Sequence, residues 1–254
     1  MSISPHAAIW PGQRRAAISL SFDDHLRSQL EHALPVLNRY GVKGTFYVIP
    51  GAGSLFERHI DAWRKVYADG HEIANHTIAH PCSEKHAFIS AEHALENWSL
   101  ERIEADIDEA TARLKALLPG YTPTSFAYPC GETFVGRGEA RTSYIPAVAR
   151  RFVVARGVGS TDNDPLTCDL HNVSSWIVEN VTAEQMIAMI QPTIQAGRWG
   201  IFCFHGIGGD HLRVDADALE GLVRYLKESE DDIWTDTVFA IGNHLARVRA
   251  TGVA

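Results

Sequence analysis

The 254-residue sequence lacks long apolar runs and any excess of positive charge. No uninterrupted apolar stretch approaches the roughly 18 residues that a membrane helix requires. Lysine and arginine number 23 against 31 aspartates and glutamates, and the resulting net charge of −8 disfavours binding to phosphate backbones or anionic lipid. The composition therefore predicts neither a nucleic-acid partner nor a membrane partner.

Cysteine is also scarce. Cys82, Cys130, Cys168 and Cys203 are widely spaced, without the two-residue spacing of a zinc ribbon or a redox pair. A chain of this length does not need a disulfide scaffold. The amino terminus shows no apolar run followed by a small-residue cleavage site, so no signal peptide is predicted. We therefore expect reduced cysteines and a cytoplasmic location, or an extracellular one if a leader has been removed.

Short β-rich segments alternate with longer segments of helical period, without a low-complexity linker. Gly41, Gly70 and Gly197 stand where a helix C-cap is expected, and Thr182 with Gln185 forms a capping box. The predicted strands are 17–22, 45–49, 72–75, 125–128, 152–155, 173–178, 200–204 and 233–235. The predicted helices are 26–40, 56–69, 90–118 (one bent helix or two), 183–196, 219–228 and 238–248.

Eight β segments alternating with helices predict an α/β fold with parallel strands, closed into a (β/α) barrel within a single domain over 1–254. A doubly wound open sheet is the alternative. Chemistry in a barrel belongs at the carboxyl ends of the strands, where the βα loops meet. Polar residues that directly follow strands are therefore the first candidates for a functional site.

Two adjacent carboxylates, Asp23 and Asp24, follow the first predicted strand. Like charges this close raise one pKa unless a cation or a shared proton compensates. Such a pair at a strand end indicates metal binding combined with general-base chemistry. The alternative is a solvated turn in which an aspartate caps the next helix.

His76 and His80 follow the third predicted strand with i, i+4 spacing, which predicts two imidazoles on one face of a helical turn that Pro81 ends. Neutral imidazole is the commonest protein ligand for zinc and similar ions. Because the chain contains 13 histidines, a chance pair on a polar surface is the alternative. The position after a strand favours a metal site.

Two further strand ends carry candidate groups. The turn 128–131 follows the fourth strand, and the backbone amides of Cys130 or Gly131 could face an oxyanion, the alternative being an ordinary βα turn. No base for a Cys130 nucleophile is evident. His205 ends the seventh strand and is placed for general-acid chemistry, although a lone histidine is commonly structural. Trp176 could stack on a sugar or belong to the core.

Taken together, these motifs resemble the ordered motifs of the polysaccharide deacetylases, carbohydrate esterase family four, over about residues 17–210. The resemblance implies a distorted (β/α) barrel of seven or eight parallel strands. The motifs that carry it are Ser21-Phe22-Asp23-Asp24, His76-Thr77-Ile78-Ala79-His80-Pro81, Tyr128-Pro129-Cys130-Gly131 and Cys203-Phe204-His205.

The resemblance also implies a role for each strand-end residue. A divalent metal, most commonly Zn²⁺ although Co²⁺, Ni²⁺ or Mn²⁺ also serve, would be bound by Asp24, His76 and His80. Asp23 would be the general base, and His205 would protonate the leaving group. The metal and the Cys130 amide would hold the oxyanion, with Tyr128 and Trp176 as further candidate substrate contacts.

Two departures from the family pattern concern the groups around the base and the acid. The third motif often begins with an arginine that orients the base, whereas this chain has Ala127 there, and Arg156 is a candidate replacement. The fourth motif, Asp-x-x-Asp-Trp, survives at most as Trp176. Asp169 or Asp162 could replace the carboxylate that tunes the acid.

The implied activity is metal-dependent removal of an acetyl group from a carbohydrate, either the amide of an N-acetylhexosamine or an acetyl ester on a hemicellulose sugar. An acetylated carbohydrate is therefore the expected partner, and the oligomeric state is not predicted. One alternative is metal-independent cyclic amide hydrolysis, as in allantoinase-like relatives of the fold, which tend to lose metal ligands. The other is a non-catalytic carbohydrate-binding protein.

Overall fold

The computed structural model describes residues 9–251, in which strands alternate with helices. The strands are β1 (Ala16–Asp23), β2 (Thr45–Val48), β3 (Glu72–Asn75), β4 (Ser125–Ala127), β5 (Phe134–Val135), β6 (Thr142–Ser143), β7 (Val154–Arg156), β8 (Trp176–Ile177), β9 (Trp199–Phe204) and β10 (Ile233–Thr235). The α-helices are α1 (Leu34–Tyr40), α2 (Leu55–Arg58), α3 (Ile60–Ala68), α4 (Leu100–Leu117), α5 (Ile145–Ala149), α6 (Ala183–Ala196), α7 (Ala216–Glu228) and α8 (Val238–Ala250).

The main sheet is parallel and curled, with strand order β7-β4-β3-β2-β1-β9-β8, and β10 pairs in parallel with the first residues of β1. A parallel bridge between Arg156 and Val173 links β7 to the residues just before β8, so the two ends of the order meet. Each predicted strand overlaps an observed one, and the predicted barrel of parallel strands is confirmed. The antiparallel β5–β6 hairpin was not predicted.

Strand β1 lies at the centre of the core. All eight of its residues are buried, as expected for a parallel strand that is covered on both faces. Phe22 stacks on Phe46 and on Phe204 from the two neighbouring strands, with ring centroids 4.9 and 5.3 Å apart. Because successive strand residues point to opposite faces, this aromatic layer packs on one face of the sheet while the next residue, Asp23, points into the cavity on the other.

The helices follow the predicted pattern with two differences. The capping box of Thr182 and Gln185 is present, and Gly197 ends α6 with a φ of 72°. The predicted helix over 26–40 contains a π-helical stretch, Gln29–Ala33, before α1. The prediction of helix from residue 90 is wrong: helix starts after Ser99, whose hydroxyl accepts a hydrogen bond from the Arg102 N–H.

Residues 90–99 instead form turns and a short 3-10 helix, Leu95–Asn97, and the Leu95 N–H donates to the Cys82 carbonyl, which ties this segment to the loop after β3. Within residues 9–251, no helix is both long enough and apolar enough to cross a membrane. The single domain over 1–254 stays a prediction, and its first eight and last three residues lie outside the described residues.

Candidate active site

A cavity of about 630 Å³ lies at the carboxyl ends of the barrel strands. Asp23 is the last residue of β1, His76 and Tyr128 directly follow β3 and β4, and His205 directly follows β9. All four line the cavity. Parallel strands end at one edge of a sheet, so residues that are distant in the sequence meet there.

Asp24, His76 and His80 come together with their ligand atoms within 4.8 Å of one another. The Asp24 Oδ1 atom lies 3.7 Å from His76 Nε2 and 3.6 Å from His80 Nε2. This oxygen is buried and accepts no hydrogen bond from the residues that the structure describes. An unpaired buried carboxylate oxygen facing two imidazole nitrogens is a donor set suited to a divalent metal.

The protonation of His76 is set by a backbone contact. Its Nδ1 lies 2.8 Å from the Ala127 carbonyl, which can only accept, so Nδ1 carries the proton and Nε2 keeps its lone pair. Burial lowers the pKa of His76 to about 4, in spite of the nearby Asp23 and Asp24 carboxylates. The ring is therefore neutral near pH 7, as a metal ligand must be.

The two histidines do not lie on a helical turn, and the predicted turn is wrong. Residues 76–80 form an irregular loop in which Thr77 and His80 adopt left-handed backbone, with φ of 67° and 46°. The rings nevertheless meet, with centroids 4.8 Å apart. The i, i+4 spacing thus indicated the right pair of residues through the wrong local geometry.

Side chains outside the metal group hold this loop in place. The Asp106 carboxylate on α4 accepts hydrogen bonds from the N–H groups of Ile78 and Ala79, at 2.7 and 3.1 Å. The Asn75 Oδ1 atom accepts from the Thr77 N–H at 2.8 Å, an Asx turn. Sequence reasoning missed Asp106, because nothing in its helical context distinguishes it from a solvent-exposed acid.

Asp23 forms a buried ion pair with Arg156, whose Nη2 donates to Asp23 Oδ2 at 2.5 Å. Arg156 is the register partner of Ala127 on the neighbouring strand, so its guanidinium reaches Asp23 from the position beside Ala127. Burial would raise the pKa of Asp23, but Arg156 first and then His76 and His205 outweigh burial, and the pKa lies below its usual value. Asp23 is ionised at neutral pH.

The second oxygen of Asp24 contacts a histidine that sequence reasoning missed. His211 Nε2 lies 3.1 Å from Asp24 Oδ2, and His205 Nε2 lies 4.0 Å from the same oxygen. Burial would raise the pKa of Asp24, but the hydrogen bond to His211 and the other histidines hold it well below the usual range. The signal for His211 was weak, since it lies within a loop seven residues beyond the end of β9.

The predicted replacements for the acid-tuning carboxylate are wrong. Asp162 binds Thr193 and Arg198, beside the start of β9, whereas His205 follows the end of that strand. Asp169 accepts the His171 N–H in its own turn. The His205 Nδ1 atom has no hydrogen-bond partner among residues 9–251. Burial lowers the pKa of His205, and the carboxylates that oppose this shift are Asp23 and Asp24.

Cys130 lines the cavity, but its sulfur forms a disulfide with Cys82. The expectation of four reduced cysteines is therefore wrong: only Cys168 and Cys203 are free. The two bonded cysteines are 48 residues apart, and the fold brings together the loops that carry them. A Cys130 nucleophile is excluded in this form, whereas its backbone amide stays a candidate oxyanion donor.

Tyr128 and Trp176 contribute differently from the prediction. The Tyr128 ring lines the cavity, but its hydroxyl donates to the His171 carbonyl at 2.7 Å and therefore anchors a neighbouring loop. Trp176 belongs to the hydrophobic core and packs on Phe202, with centroids 5.1 Å apart. Its neighbour Ile177 lines the cavity instead, so Trp176 does not offer a stacking surface there.

Comparison with known families gives a match to a family described as Polysaccharide deacetylase, over residues 12–140. The matched range includes Asp23, Asp24, His76, His80 and Cys130, whereas Arg156 and His205 lie beyond it.

Among curated proteins, gellan lyase from Bacillus sp. is 26% identical over 171 residues, which are 67% of this chain and 6% of that protein. Chitooligosaccharide deacetylase from Rhizobium leguminosarum bv. trifolii is 41% identical over 68 residues, 25% of this chain and 29% of that protein. The chain thus spans less than a third of the length of these curated relatives.

Solved structures show the same fold. A Mycobacterium smegmatis protein described as a polysaccharide deacetylase superposes with a TM-score of 0.67 at 16% identity, covering 94% of this chain and 92% of that one. A family 4 acetyl xylan esterase from Clostridium thermocellum, in complex with a cobalt ion, gives 0.58 at 22% identity, covering 89% and 90%. A mutant of BA3943, a CE4 family pseudoenzyme, gives 0.56 at 15% identity, covering 90% and 67%.

Proposed function

This chain belongs to the polysaccharide deacetylase family, and on that premise we propose that it hydrolyses acetyl groups from a carbohydrate with a divalent metal held by Asp24, His76 and His80. The observation that carries the proposal is the unpaired Asp24 Oδ1 facing the two imidazole Nε2 atoms beside the ionised Asp23. A pair of carboxylates that only capped a helix would need neither the His76 and His80 imidazoles beside Asp24 nor the buried Arg156 guanidinium beside Asp23.

The distances fit a metal. Ligand atoms bound at about 2.0–2.2 Å to a tetrahedral ion lie roughly 3.3–3.6 Å from one another. The Asp24 oxygen lies 3.6 and 3.7 Å from the two nitrogens, so small side-chain shifts suffice to bind an ion. Mixed carboxylate and imidazole ligands suit Zn²⁺, and Co²⁺, Ni²⁺ or Mn²⁺ are alternatives. A bound metal supplies Lewis-acid polarisation of the acetyl carbonyl and a lowered pKa for coordinated water.

Asp23 is the general base in this proposal. Its Oδ2 is held by Arg156, while Oδ1 is buried without a partner among residues 9–251 and can accept a proton from the attacking water. His76 Nε2 lies 3.8 Å from Asp23 Oδ2, which places the base directly beside the metal ligands. Arg156 keeps Asp23 ionised and fixes its rotamer, so the base does not bind the metal in place of Asp24.

His205 and the Cys130 amide complete the proposed chemistry. His205 is buried and faces Asp24 Oδ2, whereas His76 and His80 face Asp24 Oδ1. When protonated, His205 can donate to the leaving amine or alcohol. The Cys130 backbone lies in the turn after β4, where its N–H can stabilise the oxyanion that develops on the acetyl oxygen.

Amide and ester substrates both fit the cavity. Its volume of about 630 Å³ is in the range of sites for small ligands, which suits a sugar unit with its acetyl group. Phe88, Val158, Ile177 and Leu212 give the cavity an apolar wall against which the methyl group and a sugar face can pack. The relatives named above include both a chitooligosaccharide deacetylase and an acetyl xylan esterase.

Acetate release from N-acetylglucosamine oligomers and from acetylated xylan tests the proposal. Wild type and Asp23→Asn are each assayed after chelator treatment and again after reloading with zinc. We expect release to disappear with the metal and return with it, and Asp23→Asn to lower kcat about 10²–10⁴-fold because the base contributes that much. Release that survives both chelation and Asp23→Asn would contradict the proposal.

The same assay separates the two alternatives. A cyclic amide hydrolase would open a ring substrate without added metal and release no acetate. A non-catalytic protein would bind sugar without turnover, and Asp23→Asn would then change nothing. The retained metal ligands and the buried base favour the deacetylase, although the similarity to a pseudoenzyme shows that this fold does not require activity.

A further inference from the structure

The Cys82–Cys130 disulfide joins the loops that follow the neighbouring strands β3 and β4, and both loops contribute residues to the candidate site. Cys82 lies two residues after the ligand His80, and Cys130 lies two residues after Tyr128 at the start of the turn with the oxyanion donor. Their Cα atoms are 5.8 Å apart across 48 residues of sequence. The bond therefore fixes the distance between a metal ligand loop and an oxyanion loop.

His80 is held more weakly than its partner His76. The His76 side chain is 2% exposed and its Nδ1 is fixed by the Ala127 carbonyl, whereas the His80 side chain is 27% exposed. The polar neighbour of His80 Nδ1 is the disulfide sulfur of Cys82, at 3.7 Å. The contact that a backbone carbonyl makes with His76 Nδ1 is thus made at His80 Nδ1 by a disulfide sulfur.

The backbone on both sides of the disulfide is strained. His80 and Cys130 have φ of 46° and 54°, in the left-handed region that residues with a Cβ rarely adopt. Such conformations persist only where the surrounding structure determines them. A covalent bond adjacent to both residues supplies that constraint, while Asp106 supplies it for the middle of the His80 loop.

We propose that this disulfide is a positioning element of the metal site, so that tight binding of a metal by Asp24, His76 and His80 requires the disulfide. The inference rests on the metal-dependent function proposed above. Cys82 and Cys130 act through the His80 ring and the Cys130 amide, without touching the reacting atoms. Because disulfides persist in oxidising compartments, this enzyme would work outside the reducing cytoplasm, in place of the cytoplasmic location expected from the sequence.

Reduction by a small dithiol would release the two loops. The S–S bond breaks, Cys82 and Cys130 each gain one electron and one proton, and the dithiol closes to its own cyclic disulfide. With the disulfide formed, the two sulfurs and a ring nitrogen of His80 lie within 4.8 Å of one another, so reduction frees two thiols beside a possible third ligand. Because these thiols would themselves bind zinc, alanine variants give a clearer test than reduced wild type.

The test is the zinc dissociation constant of metal-free protein, measured by calorimetry for wild type, Cys82→Ala/Cys130→Ala and Cys168→Ala. Cys168 is a matched control, since it is half-buried, forms no disulfide and lies outside the cavity, where its sulfur accepts a hydrogen bond from Arg249. We expect the double variant to bind zinc roughly 10–100-fold more weakly, the usual effect of losing a group that orients a ligand. Cys168→Ala should bind like wild type.

Thermal unfolding separates positioning from stability. Loss of the disulfide lowers Tm whatever its role, so affinities are compared well below the Tm of the double variant. A lower Tm with an unchanged zinc dissociation constant would overturn the inference and leave the proposed function intact. If wild type itself binds no zinc, the proposed function and the inference both fail. Weaker binding together with a lower kcat in the double variant supports the inference.

Discussion

At the scale of single residues, Asp23, the proposed base, pairs with a buried cation from a different strand. Arg156 is fully buried, and its Nη1 also donates to the Ser175 hydroxyl at 3.1 Å, which locks the guanidinium in one orientation. Removing one member of a buried ion pair leaves the other uncompensated and costs more than the pair contributes. Arg156 therefore supports both the protonation state of Asp23 and the stability of the barrel.

Arg156→Met and Arg156→Lys separate charge from geometry. Without the cation, burial raises the pKa of Asp23, so the base becomes ionised only at higher pH. We expect the acid limb of the kcat/KM profile to move to higher pH in Arg156→Met and much less in Arg156→Lys, as measured by acetate release. An unshifted acid limb in a folded Arg156→Met would contradict this role.

His211 holds the Oδ2 atom of Asp24, a proposed metal ligand, while Oδ1 faces the two imidazoles. We expect His211→Ala to weaken zinc binding on the order of tenfold, because groups that orient ligands typically contribute that much. His86→Ala is the control, since His86 lines the same cavity but contacts Glu132 rather than Asp24. Calorimetry on metal-free protein gives the zinc affinity of both variants. Equally weakened zinc binding in the two variants would count against a role of His211 in orienting Asp24.

At the scale of secondary structure elements, helix α4 braces the loop of the metal ligands. Asp106 on α4 accepts two of the loop's N–H groups, and Asn75 at the end of β3 donates to the Ile107 carbonyl at 3.0 Å. Both contacts cross from the helix to the strand end. The loop's irregular backbone is therefore maintained by α4 from one side and by the disulfide from the other.

Asp106→Ala tests this bracing. We expect about 1.5–3 kcal/mol lower stability, since two N–H groups lose a charged acceptor, together with weaker zinc binding. Asp108→Ala on the same helix is the control: its carboxylate is more than half exposed and pairs with Arg151, so it should change stability by about 1 kcal/mol or less. Denaturant unfolding and zinc calorimetry measure the two effects. Equal losses in the two variants would refute the bracing role.

Sequence reasoning located elements with strong local signals and missed those defined by tertiary contacts. The capping box at Thr182 and the glycine after α6 were readable, because they act within one turn of the chain. The loop 90–99 was taken as helix, since its pairing with Cys82 comes from residues a dozen positions away. The β5–β6 hairpin was missed because each strand is only two residues long.

At the scale of the whole molecule, the alternation of β-rich segments with helical segments in the sequence predicted the barrel. It also predicted that the carboxyl ends of the strands meet. The structure brings Asp24, His76 and His80 together beside Asp23, and the sequence pointed to them because they lie at or within five residues of the ends of β1 and β3. The disulfide could not be predicted in the same way, since it depends on how the loops after β3 and β4 meet. Arg156 was a candidate from the family resemblance, but its contacts depend on the register between strands. Ala127 and Arg156 are adjacent only because β4 and β7 pair, although they are distant in sequence.

The central claim is that one divalent metal binds between Asp24, His76 and His80 beside an ionised base. Metal content after zinc loading and gel filtration tests it most directly, with wild type compared with Asp24→Ala/His80→Ala and with His86→Ala as control. We expect one zinc per chain in wild type and in His86→Ala, and almost none in the double variant. Zinc retained in the double variant, or absent from wild type, would contradict the account.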